Sequence, residues 1–273
     1  MTYTSIIPAA EPVADVEPRR RSEAMTARSK TIFWGTTAAF WSIPAISGLL
    51  FGIGAWDNAF ASKLSLYAVS IWLNACCLML IGRRDETRSR ALVYREFLVA
   101  WMISFGMTNV LWEWPWFLTS KFVFSGLHSY QDWVAFGGHI REHMWLWPLA
   151  SFGAVDLRTI NGNGTFMAVE MLSIPSVLTF TAFYFLDRKQ HRLRYVLPLF
   201  NGPMVVGGTL IFSFSEVFGN YANMPGGVAD TLLALVWTQY QYVLFPAAMF
   251  YVALRLLLHD QARDPHLERV WGS

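Results

Sequence analysis

The sequence predicts an all-α membrane protein, a polytopic bundle of six transmembrane helices, from its composition and from the spacing of its charges. Hydrophobic residues make up 54% of the 273 residues and charged residues only 15%, which is unlike the balance in soluble domains. The charges cluster between apolar runs of about 20 residues, the length needed to cross a hydrocarbon core of roughly 30 Å. Together these observations favour helices that span a membrane.

The predicted elements follow the apolar runs in chain order. Six runs are long enough, at residues 32–56, 64–82, 97–118, 165–186, 195–218 and 231–258. Residues 1–29 carry Pro, Ala and mixed charge without periodicity, so we predict a disordered cytoplasmic tail there, then a membrane domain at 30–258 and a second cytoplasmic tail at 259–273. The first run is too long for a signal-peptide core and is expected to remain as an anchor.

Lys and Arg in the connecting segments set the predicted orientation. Basic residues cluster before the first run, between the second and third, and between the fourth and fifth, whereas the segment 219–230 has none. Both termini are therefore predicted to be cytoplasmic. If the source is eukaryotic, the expected membrane is that of the endoplasmic reticulum. The net charge of +2 calls for no nucleic-acid partner, because topology accounts for the basic clusters.

Three glutamates lie within a few residues of the end of separate apolar runs: Glu113, Glu170 and Glu216. In the predicted topology they share the outer half of the membrane with Gln239 and could line one pocket. A carboxylate at membrane depth is a candidate functional group by default. The alternative for each is a structural carboxylate, hydrogen-bonded between helices.

Polar and aromatic neighbours accompany the glutamates. Asn109 precedes Glu113 by four residues and Ser173 follows Glu170 by three, so each pair shares a helix face. Aromatic side chains at similar depth either line the same pocket or form an interfacial belt. They are Trp112, Trp114, Trp116, Trp237, Tyr240 and Tyr242.

This combination of groups suits carbocation chemistry. A carboxylic acid in an apolar pocket can keep its proton near neutral pH and deliver it to an alkene or epoxide. A second carboxylate can then remove a proton. Between the two events, aromatic faces stabilise the cation without trapping it readily. The chemistry calls for no cofactor and no metal.

The run Asp156, Arg158, Phe166 and Glu170 resembles the Asp-x-Arg, aromatic, Met/Val-Glu pattern of the emopamil-binding protein family, the sterol isomerases and their EXPERA-domain relatives. The resemblance covers roughly residues 97–258. It extends to Glu113, Ser173, Gly208, Glu216 and Pro246. It implies a helical membrane enzyme that isomerises a sterol-like alkene, with Asp156 and Arg158 as structural residues.

The chain departs from that family at several positions. Asn109 stands where the family has a histidine, and Thr209 where it has an aspartate. Gln239 and Tyr242 replace an asparagine and a tryptophan of the last helix, and the chain has one more N-terminal span.

A second resemblance involves two short strings. Asn109-x-x-Trp112-Glu113-Trp114 and Glu170-Met171-Leu172-Ser173 are similar to strings around acidic residues in the integral-membrane terpene cyclases of meroterpenoid pathways. A cyclase started by protonation needs one strong acid and an aromatic cavity rather than a histidine shuttle, which would account for Asn109.

These arguments yield a set of expected site residues. The predicted catalytic residues are Glu113, Glu170 and Asn109. The predicted substrate-binding residues are Trp112, Trp116, Ser173, Glu216, Gln239 and Tyr242. The expected partners are membrane lipids and an apolar terpenoid or sterol-like substrate.

Two classes of function remain open. The pair of glutamates favours an enzyme, and the missing histidine favours a non-catalytic sterol or lipid binder. Isomerase and cyclase stay unresolved because both need an acid, a base and an aromatic cage.

One competing motif points elsewhere. His139-Ile-Arg-Glu142-His143 fits the inverted zinc-protease pattern, in which two histidines one helical turn apart bind zinc. It lies in the long predicted outer loop 119–164, with no obvious third ligand. We interpret it as a short amphipathic helix over the pocket mouth and predict no metal.

Overall fold

The computed structural model describes residues 25–83, 89–189 and 191–262. Within these ranges every regular element is helical and no strand occurs, which confirms the predicted all-α class. The predicted tails fall largely at 1–24 and 263–273, outside the described residues. The first helix begins at Ala27 and the last ends at Ala262, so both run past the predicted limits of the membrane domain.

The helices follow the chain in a simple order. Their bounds are α1 Ala27–Gly52, α2 Asn58–Gly82, α3 Arg90–Thr108, α4 Trp114–Val123, α5 Tyr130–Glu142, α6 Trp147–Ala150, α7 Gly164–Glu170, α8 Ser173–Arg188, α9 Leu193–Phe218, α10 Gly227–Ala234 and α11 Gln241–Ala262. Short 3₁₀ turns occupy Met144–Leu146, Ser151–Ala154 and Leu157–Thr159. Wider π-helical turns at Asn109–Glu113 and Leu235–Gln239 join α3 to α4 and follow α10.

Four helices among the described residues are long and apolar enough to cross a membrane. They are Asn58–Gly82, Gly164–Arg188 (α7 and α8 taken together), Leu193–Phe218 and Gln241–Leu258. This agrees with a membrane protein, since a span needs about 20 predominantly apolar residues.

Capping residues explain where the first three helices begin. The side chains of Thr26, Asp57 and Ser89 precede α1, α2 and α3, and each accepts a hydrogen bond from the backbone N–H three residues later. Such caps satisfy N–H groups that the first turn leaves without a partner.

Two buried clusters hold the helices together. The first joins α1, α2, α3, α8, α9 and α11 around large side chains such as Trp72 and Trp101. The second includes Trp133 and Ile140 of α5 and Phe166 of α7. A close approach of α9 to α11 depends on Gly202, where a Cβ atom would lie 2.9 Å from the carbonyl oxygen of Pro246. Small residues commonly allow such contacts between apolar helices.

The region predicted as a long loop is largely folded. Its helix α5 starts at a capping box in which Ser129 and Asp132 each accept from the other's backbone N–H. Trp133, Gly137 and Ile140 are buried on one face of α5, and the other face is exposed. This one-sided burial is the pattern of the amphipathic helix that the sequence predicts here. The segment 147–152, which follows α5, contributes to the lining of a large cavity.

Candidate active site

Irregular helical turns carry several of the candidate residues. In the π-helical turn Asn109–Glu113, the backbone N–H of Trp114 reaches back five residues to the carbonyl oxygen of Asn109. Pro115 follows, and a proline has no N–H to donate and crowds the carbonyl four residues earlier. Single π turns inside α-helices often occur at functional sites. The wider turn presents Trp112 and Glu113 to a large cavity.

Two other irregularities reach the same cavity. Between α7 and α8 the helix is interrupted at Met171–Leu172, with Glu170 before the interruption and Ser173 after it. The π-helical turn Leu235–Gln239 brings in Gln239, and Tyr242 lies just beyond it in α11. All four side chains line the cavity.

The cavity has a volume of about 430 Å³. This lies within the roughly 300–1,000 Å³ range of small-molecule pockets. Most of its wall is apolar, and much of that is aromatic. The aromatic lining residues are Trp41, Phe105, Trp112, Trp147, Phe152, Phe166, Phe212 and Tyr242.

Glu113 and Glu170 both line this cavity and are half-buried. Among the described residues, neither carboxyl has a hydrogen-bond or ion-pair partner. Glu170 lies within electrostatic range of Glu113, and the Tyr242 hydroxyl within range of both. Burying a carboxyl group without a partner costs free energy. These two groups are therefore available to a ligand and serve no evident packing purpose.

Most hydroxyl groups in the lining are already bonded to their own helix. Ser65, Thr108, Ser176 and Thr209 donate to carbonyl oxygens three or four residues earlier. The Ser173 hydroxyl, by contrast, is buried without a partner among the described residues. The cavity therefore offers a ligand few free polar groups beside the two carboxyls.

Glu216 differs from the other two glutamates, and its placement corrects the expectation that it binds substrate. Its Oε1 atom lies 3.2 Å from Nε of Arg158, and it accepts from the side-chain amide of Asn223 at 2.8 Å. Glu216 is buried and does not belong to the cavity lining. It is the hydrogen-bonded structural carboxylate considered as the alternative.

Arg158 is the centre of this buried network. Its Nη2 atom lies 2.6 Å from Oδ2 of Asp156. Its Nη1 atom donates to the Ser215 hydroxyl at 2.6 Å and to the Phe212 carbonyl at 2.7 Å. The guanidinium also lies over the Phe212 ring, 3.9 Å from its centroid. The network ties the turn at 156–159 to α9.

Two further predicted residues lie behind the cavity wall. Trp116 is buried, donates its indole N–H to the Thr159 carbonyl at 2.8 Å, and stacks on Trp112. Asn109 is buried, and its amide donates to the Phe105 carbonyl at 2.8 Å. Neither lines the cavity, so the expected direct roles in binding and catalysis do not match their placement. Regular helical periodicity predicts that both residues lie near Glu113. It does not predict the direction of each side chain where the helix widens into the π-helical turn.

The structure adds lining residues that sequence reasoning missed. From α1 and α2 these are Trp41, Pro44, Ala45, Ser65, Leu66, Val69 and Ser70. Trp147, Pro148, Ser151 and Phe152 come from the segment after α5.

No family model matches the chain, and no curated protein and no solved structure matches it. The class of protein is therefore defined by its own geometry, an all-helical protein with four potential membrane spans in the described residues. The resemblances to sterol isomerases and terpene cyclases support a proposal rather than a family assignment.

Proposed function

We propose that this protein is an integral-membrane acid–base catalyst. It protonates an apolar terpenoid or sterol-like alkene or epoxide and directs isomerisation or cyclisation through a carbocation. The observation that carries the proposal is the pair Glu113 and Glu170, two carboxyls without partners among the described residues in one aromatic-lined cavity.

The chemistry would divide between the two carboxyls. The protonated one gives its proton to an alkene carbon, the π electrons form the new C–H bond, and the adjacent carbon becomes cationic. With an epoxide the oxygen takes the proton and a C–O bond opens. The cation shifts or closes a ring, and the second carboxylate removes a proton to form a new alkene. Proton return between the carboxyls restores the starting state.

The aromatic side chains of the cavity wall could stabilise the carbocation that forms between the two proton transfers. Trp112 and Phe152 lie with ring centroids 4.1 Å apart, and the Trp112 indole is fixed by donation to the Pro148 carbonyl at 2.9 Å. Aromatic faces stabilise a cation at close range, more strongly when water is excluded. Holding the rings in place before the cation forms avoids a reorganisation cost during the reaction.

We also propose the finer membrane arrangement. The α1 helix and the continuous α3–α4 unit join the four apolar helices as spans, which gives six in total. Both termini then lie on the cytoplasmic side. If the source is eukaryotic, the membrane is that of the endoplasmic reticulum.

A specific observation favours the alternative of a non-catalytic sterol or lipid binder. Asn109, one turn before Glu113, donates into its own helix and does not line the cavity. No side chain at that position therefore relays a proton to Glu113. A binder would keep the cavity and use the carboxyls to hold a polar group of the lipid.

One experiment separates the two. Membranes with wild-type, Glu170→Gln or Glu142→Gln protein are incubated in deuterated water with sterols, prenylated polyenes and their epoxides, and products are analysed by mass spectrometry. Glu142 is exposed and lies outside the cavity lining, so its variant is the matched control, and all samples contain EDTA so that no metal ion at the protein surface distinguishes them. Deuterated isomerised or cyclised product from wild type and the control, but not from Glu170→Gln, supports catalysis. Tight retention of a lipid by all three without turnover supports the binder.

A further inference from the structure

The C-terminal end of α5 carries a group of side chains that the proposed function does not use. His139, Glu142 and His143 are all exposed, and each offers a ligand atom within 4.8 Å of the others. None of them lines the large cavity. Their mutual geometry therefore needs a separate explanation.

The helix backbone fixes the spacing of the two histidines. His143 is the residue that caps the C-terminal end of α5, one turn after His139, and its backbone N–H donates to the His139 carbonyl at 3.1 Å. The two imidazole rings lie edge to face with centroids 4.6 Å apart. The Nδ1 atom of His139 is 3.9 Å from Oε2 of Glu142. The three groups thus converge on one point beside the helix.

We propose that His139, Glu142 and His143 form a surface binding site for a divalent transition-metal ion of the zinc class. Two imidazoles and a carboxylate are a common donor set for zinc, with water able to complete the coordination. Bonds of about 2.0–2.1 Å in a tetrahedral site place donor atoms roughly 3.4 Å apart. The ligand atoms therefore need to close by about 1.4 Å at most, which side-chain rotation can supply because His139 and Glu142 are 48% and 75% exposed.

The site is structural and not a protease centre. In the inverted zinc-protease pattern the glutamate serves as a base beside the metal. Here Glu142 belongs to the converging ligand set, and the buried face of α5, with Trp133 and Ile140, points away into the second cluster.

A metal at this position would stabilise the segment 144–152, part of which lines the cavity. His143 leads directly into the turn Met144–Leu146 and then to Trp147, which lines the cavity and stacks on Phe51 of α1 with centroids 5.0 Å apart. Binding energy gained only in the folded arrangement stabilises it. The ion would fasten the end of α5 and so the segment 144–152.

The test uses the full-length protein in detergent with a purification tag that contains no histidine, titrated with Zn²⁺ against a chromophoric chelator. His139→Ala, Glu142→Gln and His143→Ala remove single ligands, and His128→Ala is the matched control because His128 is exposed and outside the cluster. Because imidazole must be deprotonated to bind metal, titrations at pH 7.5 and pH 5 add a second readout.

We expect one Zn²⁺ per chain for wild type and His128→Ala, with binding weaker at the lower pH. Each ligand variant should bind at least about tenfold more weakly, given that even supporting residues around metals are worth 10- to 100-fold. Zn²⁺ should also raise the thermal midpoint of wild type but not of His143→Ala. Equal binding by wild type and both histidine variants would overturn the proposal, as would saturation only at several ions per chain.

Discussion

The Nε atom of Arg158 lies 3.2 Å from Oε1 of Glu216, and this ion pair is buried between α9 and the turn at 156–159. Glu113 and Glu170 have no such cation among the described residues, although all three glutamates end apolar helical runs. The same residue type at similar sequence positions therefore serves two purposes. One carboxylate joins segments of the fold, and the other two face a cavity.

Replacing Glu216 by Gln should destabilise the protein. The change leaves Arg158 buried with Asp156 as its remaining acidic partner. Loss of one partner of a buried ion pair typically costs about 3–5 kcal/mol, and we expect the lower end because Asp156 stays. Thermal unfolding in detergent should show a midpoint several degrees below that of Glu142→Gln, an exposed control measured without metal. Equal midpoints would mean that the ion pair adds no stability.

Replacing Glu113 or Glu170 by Gln should leave stability nearly unchanged but abolish most of the turnover. Neither side chain has a partner to lose among the described residues, so the free energy of unfolding should stay within about 1 kcal/mol of wild type. Turnover of the substrate found in deuterated water should fall by at least about 100-fold, as expected for loss of a general acid or base. Activity within a few fold of wild type in either variant would remove that carboxyl from the mechanism.

The apolar runs predicted an all-helical protein because length and hydrophobicity act locally, and four of the helices in the described residues are long and apolar enough to cross a membrane. Glu113 and Glu170 line one cavity, and each lies near the end of an apolar run, which is the pattern that suggested a shared pocket. The partner of Glu216 was not predictable, because Arg158 lies in a short turn whose path depends on tertiary packing. The turning of Asn109 away from the cavity depends on the π-helical turn, which ordinary helical periodicity does not represent.

The contribution of α1 and α2 to the cavity was likewise hidden from sequence reasoning. Trp41 and Leu66 belong to helices that resemble ordinary apolar spans, and only their packing shows which faces meet the cavity. Pro115 is a sequence signal for the irregular turn at Glu113, since a proline cannot donate a backbone hydrogen bond and crowds the carbonyl four residues earlier.

Filling the cavity at Gly208 should impair ligand binding. Gly208 lines the cavity, and a Cβ atom there would lie 3.1 Å from Cδ1 of Leu172, so the larger side chain of Gly208→Val must take cavity space. Gly207→Val is the matched control, because a Cβ at Gly207 meets nothing within 4 Å and the gain in helix propensity is shared. We expect the affinity for a lipid retained by the wild-type protein in the deuterated-water experiment to fall about tenfold or more in Gly208→Val alone, equivalent to about 1.4 kcal/mol.

A lipid-binding assay in detergent micelles measures this difference directly. Similar affinities for the two valine variants would show that the ligand does not occupy the part of the cavity beside Leu172. A loss in both would point to a general effect on α9.

Acidification should loosen the start of α5 through Asp132, which lies outside the membrane-spanning helices. The backbone N–H of His128, followed by that of Ser129, donates to the Asp132 carboxylate, and these hydrogen bonds lower the pKa of Asp132 below its usual range. Because the folded pKa is depressed, the stabilisation is present above the unfolded pKa of about 3.9 and is lost as pH falls through the folded value. Hydrogen exchange of the segment 128–143, corrected for intrinsic rates, should therefore rise below about pH 4 relative to α2. Asp132→Asn should exchange faster at neutral pH and lose this pH dependence, and an unchanged profile in that variant would exclude Asp132 as its source.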